Sequence, residues 1–188
     1  KFDNCNEFLR VAVAVRRYLS EISPLDSLLE AAAFAATLVD PLDKAVRGEI
    51  RQLIGHEPAP PKGLEHLASN PTLEIRSYNE IARSLLDTVD RIGSSNRNPY
   101  TTTSPSLSKR IVAATIPTDG LDIAGEADAR NAEFDWYPNT IYDPCAGSGR
   151  LVGDIGEKHR DSYPRVMAQE INPTMAKIAG LVVALTEA

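Results

Sequence analysis

Three proline restarts constrain the first half of this chain more than any other feature. Ser23-Pro24, Asp40-Pro41 and Asn70-Pro71 each set a short polar side chain ahead of a proline. The polar group can cap a helix, and the proline suits the first helical position, where its missing N–H costs nothing. Between these points apolar residues recur three and four apart, a pattern that predicts four helices. In the first, Phe8, Val11, Val15, Tyr18, Leu19 and Ile22 share one face and leave Arg10, Arg16, Arg17 and Glu21 for the other. The second is rich in alanine (Ala31 to Ala33, Ala35, Ala36), so small residues on several faces place it near the bundle centre. The third carries Val46, Ile50 and Ile54 and stops at Gly55, a left-handed C-cap position. Pro58, Pro60 and Pro61 make the following segment a linker or surface loop. The fourth helix opens at Asn70-Pro71, carries Leu73, Ile75, Tyr78, Ile81, Ala82, Leu85, Val89 and Ile92, and closes at Gly93. Ser94-Ser95-Asn96 then marks a boundary between a helical domain, 1–97, and a second domain, 98–188.

Beyond the boundary the texture changes. A short helix is expected over 106–115, with Leu107, Ile111 and Val112 inward, followed by a polar, acidic excursion over 118–137. Strands are expected over 139–142 and 166–169, each followed by a helix, over 147–157 and 173–185. This order implies an α/β fold with parallel strands and right-handed crossovers.

Composition excludes several classes. With 188 residues, 43% of them hydrophobic and 24% charged, the chain is neither disordered nor collagenous nor a coiled coil. A balance of 20 Lys+Arg against 26 Asp+Glu gives a net charge of −6, so any contact with DNA is local or shared with another subunit. The longest apolar stretches fall well short of the roughly 18 residues a membrane span needs, so a soluble protein is expected, with no membrane partner. Cys5 and Cys145 lie too far apart to form a disulfide framework or a metal pattern, which makes a reducing cytoplasm the default location. The first residues lack both an initiator Met and an apolar signal core, which suggests a chain cut from a longer product.

The segment that carries chemistry is Tyr142-Asp143-Pro144-Cys145-Ala146-Gly147-Ser148-Gly149-Arg150. A strand that ends in an acid and turns through two glycines into a helix brings bare backbone and a helix N-terminus up to a ligand. The dinucleotide fingerprint is incomplete because no third glycine follows, so hydride chemistry is weakly supported. Asp143 would repel a pyrophosphate but suits a ligand with an ammonium and a sulfonium. Glu170, at the end of the next strand, can accept both hydroxyls of a ribose.

These residues resemble a known family. Asp143-Pro144-Cys145-Ala146-Gly147-Ser148-Gly149, followed by Gln169-Glu170-Ile171-Asn172-Pro173-Thr174, is similar to the first two cofactor motifs of N6-adenine DNA methyltransferases. More specifically, they resemble the modification (HsdM) subunit of type I restriction-modification systems, whose layout also sets helices ahead of the core. The resemblance implies an N-terminal helical bundle followed by the first part of a Rossmann-like S-adenosylmethionine-dependent methyltransferase core. Asp143 would then bind the amino group of the methionine moiety, with Pro144, Ala146, Gly147, Ser148 and Gly149 forming the loop around its carboxylate and sulfur. Glu170 would hold the ribose and Ile171 would pack on the adenine. Tyr100 and Thr103, in Tyr100-Thr101-Thr102-Thr103-Ser104-Pro105, resemble the aromatic-threonine-proline motif over the methionine end, although Ser104 breaks the usual adjacency. The implied partners are DNA, a specificity subunit and a restriction subunit. The family's catalytic tetrapeptide, asparagine or aspartate with two prolines and an aromatic, is absent from the sequence, so no catalytic residue is assigned in this chain and it reads as the front part of an enzyme. A non-catalytic assembly module that docks partner subunits is the competing expectation.

Simpler readings apply elsewhere. Cys145 is expected as a small buried hydrophobe, and His56, His66 and His159 as scattered surface or capping residues with no metal site among them. Arg16-Arg17 and Lys109-Arg110 are expected on solvated helix faces, and the acids of 118–137 as solvating.

Overall fold

The computed structural model describes residues 4–19, 23–39, 43–66, 75–93, 103–115, 141–159 and 166–186. The excursion over 118–137, Tyr100 and the Asn70-Pro71 restart lie outside the described residues.

Side-chain caps start the first helices. α1 (Cys5–Tyr18) begins where the Glu7 N–H donates to Asn4 Oδ1 at 2.9 Å. α2 (Pro24–Ala36) begins where the Asp26 N–H donates to Ser23 Oγ at 3.1 Å, with Pro24 in the first turn. Asp43 caps α3 (Lys44–Ile54), accepting from the Ala45 N–H at 2.7 Å, and Gly55 ends that helix at φ 85° with its N–H on the Arg51 carbonyl. α4 (Tyr78–Gly93) starts later than the proline restart suggests, because Ile75, Arg76 and Ser77 are not helical. Ser77 Oγ accepts from the Glu80 N–H at 3.3 Å while the Glu80 carboxylate reaches back to the Arg76 N–H at 3.1 Å. This is a reciprocal Ser-x-x-Glu cap, and it fixes the first turn more firmly than a distant proline.

Two helices turn different faces inward than periodicity predicts. In α1 the buried residues are Cys5, Phe8, Leu9 and Ala12, whereas Tyr18 is 89% exposed and Leu19 lies outside the core. α1 packs on alanine-rich α2, where Phe8 meets Phe34 with ring centroids 6.3 Å apart, and on α4, where Cys5 lies against Ser84. Arg16 reaches across to pair with Glu30 of α2, so only Arg17 of that pair stays on an exposed face. In α5 (Pro105–Thr115), Ser108 and Val112 are buried while Leu107 and Ile111 are exposed.

The expected α/β architecture with a Rossmann-like core is not what the described residues form; they are mostly helical, with one two-stranded parallel ribbon. β1 (Ile141–Asp143) and β2 (Val166–Ala168) pair in parallel, Tyr142 opposite Met167, and each is only three residues long. So small a ribbon offers no face on which helices could be layered. Apolar burial is organised instead by helix on helix. α6 (Arg150–His159) follows β1, and α7 (Pro173–Thr186) follows β2. α7 is apolar on several sides, and Met175, Ile178, Leu181, Val182 and Leu185 enter one core with α1 to α4. It packs on α2, α3, α4 and α6, so the helix expected to cover a sheet closes the bundle.

Candidate functional site

The candidate site is the β1–α6 turn together with the end of β2. Asp143 shapes the turn first: its Oδ1 accepts from the Cys145 N–H at 3.0 Å, a local Asx-type bond that bends the chain. Gly147 (φ 55°) and Gly149 (φ 81°) continue the bend in left-handed backbone, and the Gly149 N–H closes it on the Ala146 carbonyl at 2.8 Å. The two glycines differ in their surroundings. A Cβ on Gly147 would meet open space, whereas one on Gly149 would lie 2.8 Å from the Ala179 Cα of α7. Gly149 therefore sets how closely the turn seats on α7.

The end of β2 is bonded into the same turn. The Gln169 N–H donates to the Asp143 carbonyl at 2.8 Å, and the Ala146 N–H donates to the Gln169 carbonyl at 2.9 Å. Glu170 then bridges both sides, its Oε2 accepting from the Gly147 N–H at 2.9 Å and its Oε1 from the Asn172 N–H at 2.8 Å. Each oxygen uses one acceptor site and retains capacity for another donor. Asn172 caps α7 through its Oδ1, which accepts the Thr174 and Met175 N–H groups at 3.0 Å. Thr174 Oγ1 in turn donates to Asp26 of α2 at 2.8 Å, which anchors the site to the bundle.

Arg150, the first residue of α6, is a positioning residue that sequence reasoning passed over. It is buried, and its Nη2 donates to Asp90 at 2.7 Å and lies 3.6 Å from Asp87, both on α4. A cation at a helix N-terminus opposes the macrodipole. An arginine directly after the second glycine was therefore the signal that acids wait for it elsewhere.

The structure thus brings Asp143, Ala146, Gly147, Gly149 and Glu170 together. Ser148 is buried under the turn, and Pro144 is exposed on its rim. Ile171 stands 99% exposed beside Glu170, an apolar side chain held in water. Tyr142 donates its hydroxyl to Gln169 Oε1 at 2.7 Å. Cys145 is exposed, contrary to the buried-hydrophobe expectation, because its residue is carried outward by the Asx bend. Thr103 is exposed ahead of α5, and Pro105, two residues on, lines a separate cavity of about 740 Å³ with Lys109 and Arg150.

Beside Glu170 a second cavity, of about 610 Å³, runs between α3 and α7. Glu49, Gln52 and Leu53 of α3 form one wall, the small residues of α7 from Ala176 to Ala184 form the other, and Ala146, Ala168 and Glu170 form the end. Among the described residues Glu49 and Glu170 are the charged ones that line it, and no lysine or arginine does. Asp143 and the glycines do not line it; they frame the turn next to it. Its volume lies within the range of roughly 300 to 1,000 Å³ typical of small-molecule sites.

Among the described residues no group of three or more His, Cys, Asp or Glu side chains could hold a metal ion, and no helix is long and apolar enough to cross a membrane. Comparison of the chain with family models, with curated proteins and with solved structures matches none.

Proposed function

We propose that the chain binds S-adenosylmethionine at the 143–149 turn and Glu170, as part of an adenine-N6 DNA methyltransferase of a restriction-modification system. The observation that carries this reading is the Glu170 carboxylate lying on the Gly147 N–H at 2.9 Å, beside a cavity with no basic residue among its described lining. A pyrophosphate would meet Glu170 and Glu49, with Asp143 on the turn beside them and no compensating cation among the described lining residues, whereas a nucleoside ending in an ammonium and a sulfonium meets complementary charge. The donor set fits that group: Glu170 keeps acceptor capacity for ribose hydroxyls, Asp143 Oδ2 is open to an ammonium, and exposed Ile171 offers an apolar face to a base. When bound, S-adenosylmethionine supplies a methyl group. The chain's own residues hold and orient it, and no base-receiving tetrapeptide occurs in this sequence. The proposed partners are DNA, a specificity subunit and a restriction subunit, in the cytoplasm.

A second reading, an assembly module that docks partner subunits, is favoured by the exposed Leu107 and Ile111 on α5. Calorimetric titration of S-adenosylmethionine into the chain separates the two. Loss of charge-assisted bonds to the ribose in Glu170→Ala corresponds to roughly 1.5 to 3 kcal/mol, so at least about tenfold weaker binding is expected. Absence of binding to a chain whose circular dichroism shows its helices intact would sink the cofactor reading and leave the assembly module.

A further inference from the structure

The helical region is a wall of the cavity beside Glu170, and its one charged contribution there is unengaged. Glu49 is exposed on α3, makes no ion pair or hydrogen bond among the described residues, and lines the cavity one turn before Gln52 and Leu53. Two of the three cations on the same helix are occupied elsewhere, Arg47 and Arg51 both pairing with Glu57, at 3.2 and 3.1 Å, and the third, Lys44, does not line the cavity. The α3 wall is also fixed in place. A Cβ on Gly180 of α7 would lie 2.8 Å from Leu53 Cδ2, so the helices touch at that point and the groove opens toward Glu170. A carboxylate on the α3 wall and another at the end of the cavity, with no cation among the described lining residues, give this space a negative potential that a neutral ligand does not need and a positively charged one does.

We propose that Glu49 is a specificity residue, placed by α3 to favour a nucleoside carrying a positive charge over its uncharged counterpart. This inference rests on the cofactor reading above and adds to it a residue from outside the turn. A carboxylate acting through space contributes a charge-dependent term that Gln cannot supply and Lys reverses. Its effect is therefore expected on a sulfonium ligand and not on the corresponding thioether, which shares every other group.

The test titrates S-adenosylmethionine and S-adenosylhomocysteine into the wild-type chain and into Glu49→Gln, Glu49→Lys and Glu170→Ala. Glu49 is exposed and unbonded, so its variants should keep the fold, which circular dichroism checks. Glu49→Gln is expected to weaken the sulfonium ligand about threefold to tenfold while changing the thioether less than about twofold, with a larger loss in Glu49→Lys, as for unit charges partly screened by water. Equal effects on both ligands, or none, with Glu170→Ala still weakening binding, would overturn the role of Glu49 and leave the cofactor reading standing. Failure of the wild-type chain to bind either ligand would overturn both.

Discussion

Around α2 the neighbours are apolar or small: Leu25, Leu28, Leu29, Phe34 and a run of alanines are buried against α1, α4 and α7. Around Glu170, five residues are tied instead by backbone donors and acceptors, from the Asp143 carbonyl to the Asn172 N–H. The first region is held by the area it removes from water, which tolerates small shifts; the second by directional bonds, which do not. A chain that must keep a turn in one shape while presenting it to solvent needs the second kind of restraint, because exposed side chains supply little burial.

The contrast can be tested by breaking each region in its own way. Leu28, fully buried, should cost about 4 kcal/mol of stability as Leu28→Ala, through lost transfer energy and a residual cavity. Urea unfolding should show a lower midpoint with an unchanged slope. Gly149→Ala should cost about 3 kcal/mol, combining left-handed strain with a clash on α7 backbone. Gly147→Ala, in open space, should cost only about 1 kcal/mol. Equal losses at the two glycines would mean that strain alone shapes the turn and that its seat on α7 does not matter.

A smaller effect belongs to the apolar region. Burial pushes the Cys5 thiol up to about 12, a hydrogen bond with Ser84 lowering it and the charge of Glu80 raising it further. The folded thiol keeps its proton while the unfolded one loses it above the usual value of 9.0, so the unfolded state binds fewer protons there and stability falls as pH rises from 9 toward 12. Stability at pH 10 should lie on the order of 1 kcal/mol below that at pH 8, and Cys5→Ala should remove that slope. An unchanged slope in Cys5→Ala would assign it to another group.

What the sequence disclosed follows the same division. Local signals were legible: the Ser23 cap, the Gly55 stop and the glycine turn between a strand and a helix depend on residues a few positions apart. The inward faces of α1 and α5 were misread because counting large apolar residues favours Tyr18 and Leu107, whereas close contact selects Ala12, Cys5 and Ser108. The two strands were located, but not that they would stay three residues long and leave α7 free to join the bundle. The role of Glu49 was invisible because it depends on a helix far away in sequence, and Arg150 carried a local signal whose partners, Asp87 and Asp90, only the fold reveals.

The hydrogen bond from Thr174 to Asp26 joins residues 148 positions apart. α2 leaves the ribosome long before α7 exists, so during synthesis its future contact surface, alanine-rich and apolar, has nothing to close it. Contacts of such separation come late and slowly. Until they form, the strip of α2 that α7 covers stays open to solvent. Completion of this fold is thus timed by the arrival of a single late helix.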